Sequence, residues 1–240
     1  LLRRLGRTAA AIARADAALA ALPGDAEALA LGGEISLWAE RTAEAEGAFL
    51  QALQRQPGHR PALLGLAAIE PEPSDGSAGP RLVALIDAFT AEAAPEVEWL
   101  RAVDRFWHAG RGNEAIRLTG AALRLHPGAT TLGSWHGRIL LATGQQDAAV
   151  ACFQELVRAA PEEAQAWHGL ADALTVLRRH AEGREVAAQA VALHPQDAVI
   201  AMRHAAFLLA LEDGPAAERE ARRAIELDPG RGVPLRTPER

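Results

Sequence analysis

The sequence contains no lysine and no tyrosine, and only one cysteine, Cys152, one methionine, Met202, and one asparagine, Asn113. Each shortage removes a class of chemistry. Without lysine there is no phosphate-gripping lysine of the kind a glycine-rich nucleotide loop requires. A lone cysteine forms neither an internal disulfide nor a paired-cysteine metal site, and no H-E-x-x-H run puts two histidines on one helix face. No metal and no other cofactor is expected, and no constellation of residues points to catalysis. No apolar run approaches the ~18 residues of a membrane-spanning helix, so membrane insertion is not expected. The net charge is −6 and all 25 basic residues are arginine. That balance offers no electrostatic reason to bind nucleic acid. The arginine bias points to a GC-rich genome and a bacterial source, with a cytoplasmic location the default expectation. The chain opens Leu1-Leu2-Arg3-Arg4 without methionine and so reads as an excised or processed piece of a longer protein.

What is present is alanine-rich and periodic. Hydrophobic residues make up 49% of the chain but aromatics only 4%, a balance suited to close helix packing rather than to a large globular core. Residues 164–195 set the pattern: an amphipathic helix predicted over 164–178, a short turn at 180–182, and a second helix over 182–193 stopped by Pro195. Trp167, Leu170, Ala171 and Leu174 give the first helix one apolar stripe; Val186, Ala187, Ala190, Val191 and Leu193 do the same for the second. Pro127, Pro161, Pro195 and Pro229 follow one another at intervals of 34 residues, as do Pro23 and Pro57. Twelve residues before each proline stands a small residue: Ala11, Ala45, Ala115, Ala149, Gly183 and Ala217. A period of this length with small residues in register predicts stacked helical hairpins.

Trp167-His168-Gly169-Leu170-Ala171, read together with the two proline ladders, resembles the tetratricopeptide repeat family over nearly all of residues 1–229. Departures occur at the tryptophan position, where other repeats have Leu29, Gly133 and Ala201. The resemblance implies an all-α, right-handed α-solenoid of about six antiparallel hairpins. Within it, residues 1–22 supply a second-type helix over 8–22, and residues 26–57 a full hairpin. The segment 60–95 is irregular, with a turn-rich stretch at 71–80; it reads as a hairpin with a stretched loop, a linker being the alternative. Residues 96–127, 130–161, 164–195 and 198–229 read as regular hairpins. The tail, 230–240, is expected to be flexible or to lead into a following segment, and no polar capping helix is written there.

Gly110, Gly112 and Ala115 fit a G-x-G-x-x-A pattern, but no strand precedes them and the spacing places them at the turn of a hairpin. His126 and His194 each precede a hairpin-ending proline, where a helix C-terminus favours a histidine. His136 and His204 share a phase two hairpins apart, roughly 20 Å if each layer is ~10 Å thick, too far to share a metal. Cys152, beside Phe153, is expected to be an inert core thiol.

Binding is the remaining reading. In the family, first helices line a groove that holds a peptide or a partner's helix, so the resemblance implies a non-catalytic protein- or peptide-binding scaffold. The alternative is the substrate-recruiting repeat region of a larger bacterial enzyme of glycosyltransferase, sulfotransferase or oxygenase type. Helical phase puts Trp99 and Trp167 in the core and turns Trp38, Trp107 and Trp135 toward the groove. Arg101, Asp104, His108, Ser134, Arg138, His168, Asp172, Met202 and Arg203 are expected on the same face. Arg138 lies one turn beyond Trp135, and an arginine can hold a carboxylate through two parallel hydrogen bonds. The lysine–asparagine carboxylate clamp of chaperone adaptors and the asparagine ladder of O-linked glycosyltransferases both lack their residues here. Leu208, Leu209 and Leu211, near an end of the array, raise the possibility of a homo-oligomer through end repeats.

Overall fold

The computed structural model describes residues 24–74 and 77–229, together with Ala13 and Ala17. The helix expected over 8–22, Pro23 and the tail from Gly230 lie outside the described residues. Among those described, every element is helical. The chain forms two compact units, Leu1–His126 and Pro127–Arg240. The first contains α1 (Ala26–Trp38), α2 (Thr42–Arg55), α3 (Arg60–Ile69), α4 (Pro80–Ala91), α5 (Glu96–His108) and α6 (Gly112–Leu125). The second contains α7 (Thr130–Ala142), α8 (Gln146–Ala159), α9 (Ala164–Val176), α10 (His180–Leu193), α11 (Ala198–Ala210) and α12 (Gly214–Leu227). In each unit helices pair as hairpins, and each first helix also packs on the first helix of the next hairpin. The architecture is therefore an all-α stack of helical hairpins.

A ring-in-glycine arrangement sets the spacing. A Cβ placed on Gly33 of α1 would lie 2.5 Å from the Phe49 ring of α2, and one on Gly65 of α3 would lie 2.3 Å from it. In the second unit Phe153 of α8 is held in the same way by Gly137 of α7, at 2.6 Å, and Gly169 of α9, at 2.1 Å. Both rings are fully buried. Each phenyl ring thus occupies space that any side chain on the flanking first helices would need. Where the ring is absent the volume is returned elsewhere. The matching positions of α5 and α6 carry Val103 and Thr119, both fully buried, and Phe207 of α11 fills the gap left by Gly183 of α10. The tryptophan position obeys the same exchange. Trp99 and Trp167 are buried and stand in hairpins that have Ala122 and Ala190 five residues before the proline. Gly133 replaces the tryptophan where Leu156 fills the site, its Cδ2 2.5 Å from a Cβ placed on the glycine.

The turns repeat as well. Glu40, Gly110, Gly144, Arg178 and Glu212 all adopt positive φ, between 55° and 81°, and all occupy the same place between the two helices of a hairpin. Only glycine enters this region without steric cost, which accounts for Gly110 as a turn residue rather than part of a nucleotide loop. In residues 164–195 the second helix starts at His180, two residues before the predicted boundary, because the turn is confined to Leu177–Arg179. His126 and His194 do more than face a helix end. Nε2 of His126 donates to the Ala94 carbonyl and Nε2 of His194 to the Pro161 carbonyl, both at 3.0 Å, tying each hairpin's end to the one before.

α3 is the exception. It has 10 residues where α1 and α5 have 13. Pro71 forces Glu70 out of the helical region (ψ 132°). The last carbonyls of α3 are then capped from outside: the Arg111 guanidinium donates to Ala67 and Ala68 at 2.7 and 3.1 Å. The same arginine pairs with the buried Glu114 at 2.6 Å. The Glu70 carboxylate accepts from the Arg81 amide at 3.1 Å, satisfying the start of α4, and α3 and α4 pack on each other across the 70–79 connection. At the other end of the chain α12 buries only Ala217 and Ala224. Its remaining surface is largely charged, including a Glu218–Arg222 pair, with Ile225 exposed among these groups. Leu208 belongs to the core, whereas Leu209 and Leu211 are exposed.

Gly65→Ala should destabilise the protein by about 1–3 kcal/mol, the range for overpacking a filled core. Gly120→Ala, on the open side of α6 with nothing within 4 Å of the new methyl, should instead stabilise by up to about 1 kcal/mol through helix propensity. Urea denaturation of both variants checks the pair; equal effects would contradict ring-controlled spacing.

Candidate binding groove

In the first unit, α1, α3 and α5 surround a cavity of about 1220 Å³. Its floor is the start of α3, at Arg60, Pro61 and Leu64. One wall is α1, with Glu34, Leu37 and Trp38; the other is α5, with Glu98, Arg101, Asp104, Arg105 and His108. Four of the residues predicted for a groove, Trp38, Arg101, Asp104 and His108, are thus brought together. Trp107 is half-buried and does not line the cavity.

Ion pairs knit the cavity's rim. Arg60 bridges Glu92 and Glu98, holding the start of α3 to the end of α4 and to α5. His59 fixes its own tautomer: Nδ1 accepts from the Ala62 amide at 3.4 Å, so Nε2 carries the proton that Glu27 accepts at 3.0 Å. His108 Nδ1 donates to the Asp104 carbonyl at 2.9 Å, with the Asp104 carboxylate 3.2 Å away. Arg105 Nη1 meets Glu34 Oε1 at 2.5 Å, joining α5 directly to α1 past the early end of α3. Sequence analysis passed over Glu34, Arg60 and Arg105. Phase alone could have pointed to two of them, since Glu34 sits at the same repeat position as Asp104, and Arg105 lies one turn beyond Arg101. Their pairing, however, joins hairpins that are not neighbours, which phase does not show. Arg101 is exposed and has no carboxylate partner among the described residues.

The remaining predicted residues lie in the second unit. The Arg138 guanidinium stands 5.7 Å from the centre of the Trp135 ring, within cation–π range, and has no carboxylate partner among the described residues. His168 Nε2 lies 2.9 Å from Asp197, the carboxylate that also caps α11 by accepting from Val199 and Ile200. Asp172 is paired with Arg203. Two of these residues are therefore held by one another and a third by a helix cap, and the Trp135–Arg138 platform is left open. Ser134 is half-buried and Met202 is exposed. Trp99 and Trp167 are core residues; the Trp167 indole donates to the Pro161 carbonyl at 2.8 Å.

Burial holds His136 and His204 below the ordinary histidine range, so both are neutral at neutral pH. Among the described residues no group of three or more histidines, cysteines or carboxylates is placed to hold a metal ion, and no helix is long and apolar enough to cross a membrane. Burial, aided by the Glu155 carboxylate, pushes the Cys152 thiol up to about 11. Its Sγ points at the Gly133 carbonyl, 3.5 Å away. At about pH 8 a thiolate-specific disulfide reagent should therefore modify Cys152 roughly a hundredfold more slowly than free cysteine; a rate matching free cysteine would show an accessible, ionised thiol instead.

A family model described as tetratricopeptide repeat matches residues 1–60 and 136–198, just over half of the chain. No curated protein matches it. Among solved structures, a crystal structure of MamA aligns with a TM-score of 0.52 at 13% identity, covering 82% of this chain and 94% of that one. A second crystal structure of MamA gives 0.51 at 13% identity, covering 82% and 88%. YrrB, described as a TPR protein with an unusual peptide-binding site, gives 0.47 at 14% identity, covering 90% and 93%. At such identities the MamA likeness establishes a shared fold and nothing about ligands.

Proposed function

Since the chain belongs to the tetratricopeptide repeat family, we propose that it is a non-catalytic scaffold whose first-helix faces hold a segment of a protein or peptide partner. The observation that carries this reading is the cavity in the first unit, about 1220 Å³ and walled by first helices. It combines apolar cover from Leu37, Leu64 and Trp38 with an arginine, Arg101, that no carboxylate among the described residues occupies. Apolar contact with a few placed polar groups is what a binding pocket needs. Shape and ring contact supply affinity, while an uncommitted guanidinium supplies orientation through charge-assisted hydrogen bonds. Trp135 and Arg138 offer the same pair of groups on the second unit. An aromatic with a neighbouring arginine has the composition of an interface anchor.

The reading is tested by probing an array of short peptides with the full chain, with Arg101→Ala and with the Trp135→Ala, Arg138→Ala double variant. All three should melt within a few degrees of one another. The parent should retain a set of peptides that Arg101→Ala binds about tenfold more weakly, the expected effect of losing one charge-assisted hydrogen bond. Loss confined to the double variant would move the site to the second unit. Identical retention by all three would overturn the groove reading.

A further inference from the structure

We propose that Glu34 occupies the place of a ligand carboxylate, and that the groove of the first unit takes an acidic segment of a partner protein. That segment displaces Glu34 from Arg105 and spans Arg105 and Arg101. The inference rests on the groove reading above and adds the partner's chemistry and the means by which the site is kept closed.

Three observations carry it. First, Arg101 and Arg105 are four residues apart on α5 and both line the cavity, so they form two rungs on one helix face. One rung is filled by Glu34, at 2.5 Å; the other has no carboxylate among the described residues. Arg55, on the α2 side of the cavity beside Gly24, also lacks one. Second, the lining holds six carboxylates against four guanidiniums, and five of the six carboxylates are engaged by a hydrogen bond or an arginine. Asp25 caps α1, Glu27 accepts from His59 Nε2, Glu92 and Glu98 share Arg60 and Glu34 holds Arg105, whereas His108 bonds the Asp104 carbonyl and leaves that carboxylate more than half exposed. At contact range an acidic segment finds two guanidiniums, Arg101 and Arg55, that no carboxylate among the described residues holds. Third, the Glu34–Arg105 pair joins hairpins that are not neighbours. It reaches over α3, whose residues in matching register, Ala68 and Ile69, carry no charge. Both side chains keep about a quarter of their surface in solvent, so an incoming carboxylate can reach the guanidinium and replace the bond it breaks. Such a partly exposed pair is held only modestly. Trp38, one turn beyond Glu34 on the same wall, covers an apolar neighbour of the entering acid.

An internal carboxylate that must be displaced lowers the apparent affinity for an external one, and removing it restores the difference. The test uses three capped, fluorescent six-residue peptides that alternate leucine with glutamate, glutamine or lysine. Binding to the full chain is followed by anisotropy at low salt. The glutamate peptide should bind best. Glu34→Gln should tighten it about tenfold, and Glu34→Ala should repeat the gain with the side chain removed. Glu92→Gln removes an equal charge from the same cavity without freeing Arg105, and should change binding less than about twofold. Arg105→Ala should weaken the glutamate peptide. An equal gain from Glu34→Gln and Glu92→Gln, or preference for the lysine peptide, would overturn the displacement while leaving a groove that binds. Failure of all three peptides to bind the parent and Glu34→Gln would overturn both the displacement and the groove.

Discussion

The stacking of this chain depends on a phenyl ring lying where a side chain cannot be. Phe49 and Phe153 each sit between a glycine of their own hairpin's first helix and a glycine of the next hairpin's first helix. A ring closed in on both sides fixes the distance between successive layers and the rotation of each helix about its axis. The surrounding alanines then complete a close-packed interior with few large residues. Volume is conserved pair by pair. Trp167 faces a hairpin with Ala190, Gly133 one with Leu156, and Thr119 stands where the neighbouring first helix has grown a valine. These exchanges let the repeat tolerate a degenerate sequence without changing its geometry.

Once one face of each first helix is committed to that packing, the opposite face is left for chemistry. In the first unit its character is set by a defect. Pro71 ends α3 early, Arg111 caps the exposed carbonyls, and Arg105 of α5 pairs with Glu34 of α1. The result is a cavity whose rim is tied by ion pairs but whose wall still carries an unengaged arginine. In the second unit α9 has its full length, and the charged groups pair with those on α11: Asp172 with Arg203, and His168 with Asp197. The same repeat therefore yields different surfaces from small local changes in helix length.

Much of this was legible in the sequence. The 34-residue spacing of the prolines and the small residues in register gave hairpins, and helical phase separated the buried Trp99 and Trp167 from the half-buried Trp38, Trp107 and Trp135. Phase also placed Arg101, Asp104 and His108 on one wall. What stayed hidden depends on two residues meeting. The replacement of a tryptophan by Gly133 looked like a local loss until Leu156 was seen to fill it. Glu34 and Arg105 are 71 residues apart, and although phase puts each on a groove face, nothing in the sequence pairs them.

The central claim is that ring and glycine act as one unit, and a double-mutant cycle tests it most directly. Urea unfolding of the parent, Gly169→Ala, Phe153→Leu and the double variant measures their coupling. With Phe153 present the added methyl should destabilise by about 1–3 kcal/mol; with leucine in its place the same methyl should cost less than about 0.5 kcal/mol. Equal costs in the two backgrounds would mean that Gly169 is tolerated for some other reason, and that the rings do not set the stacking.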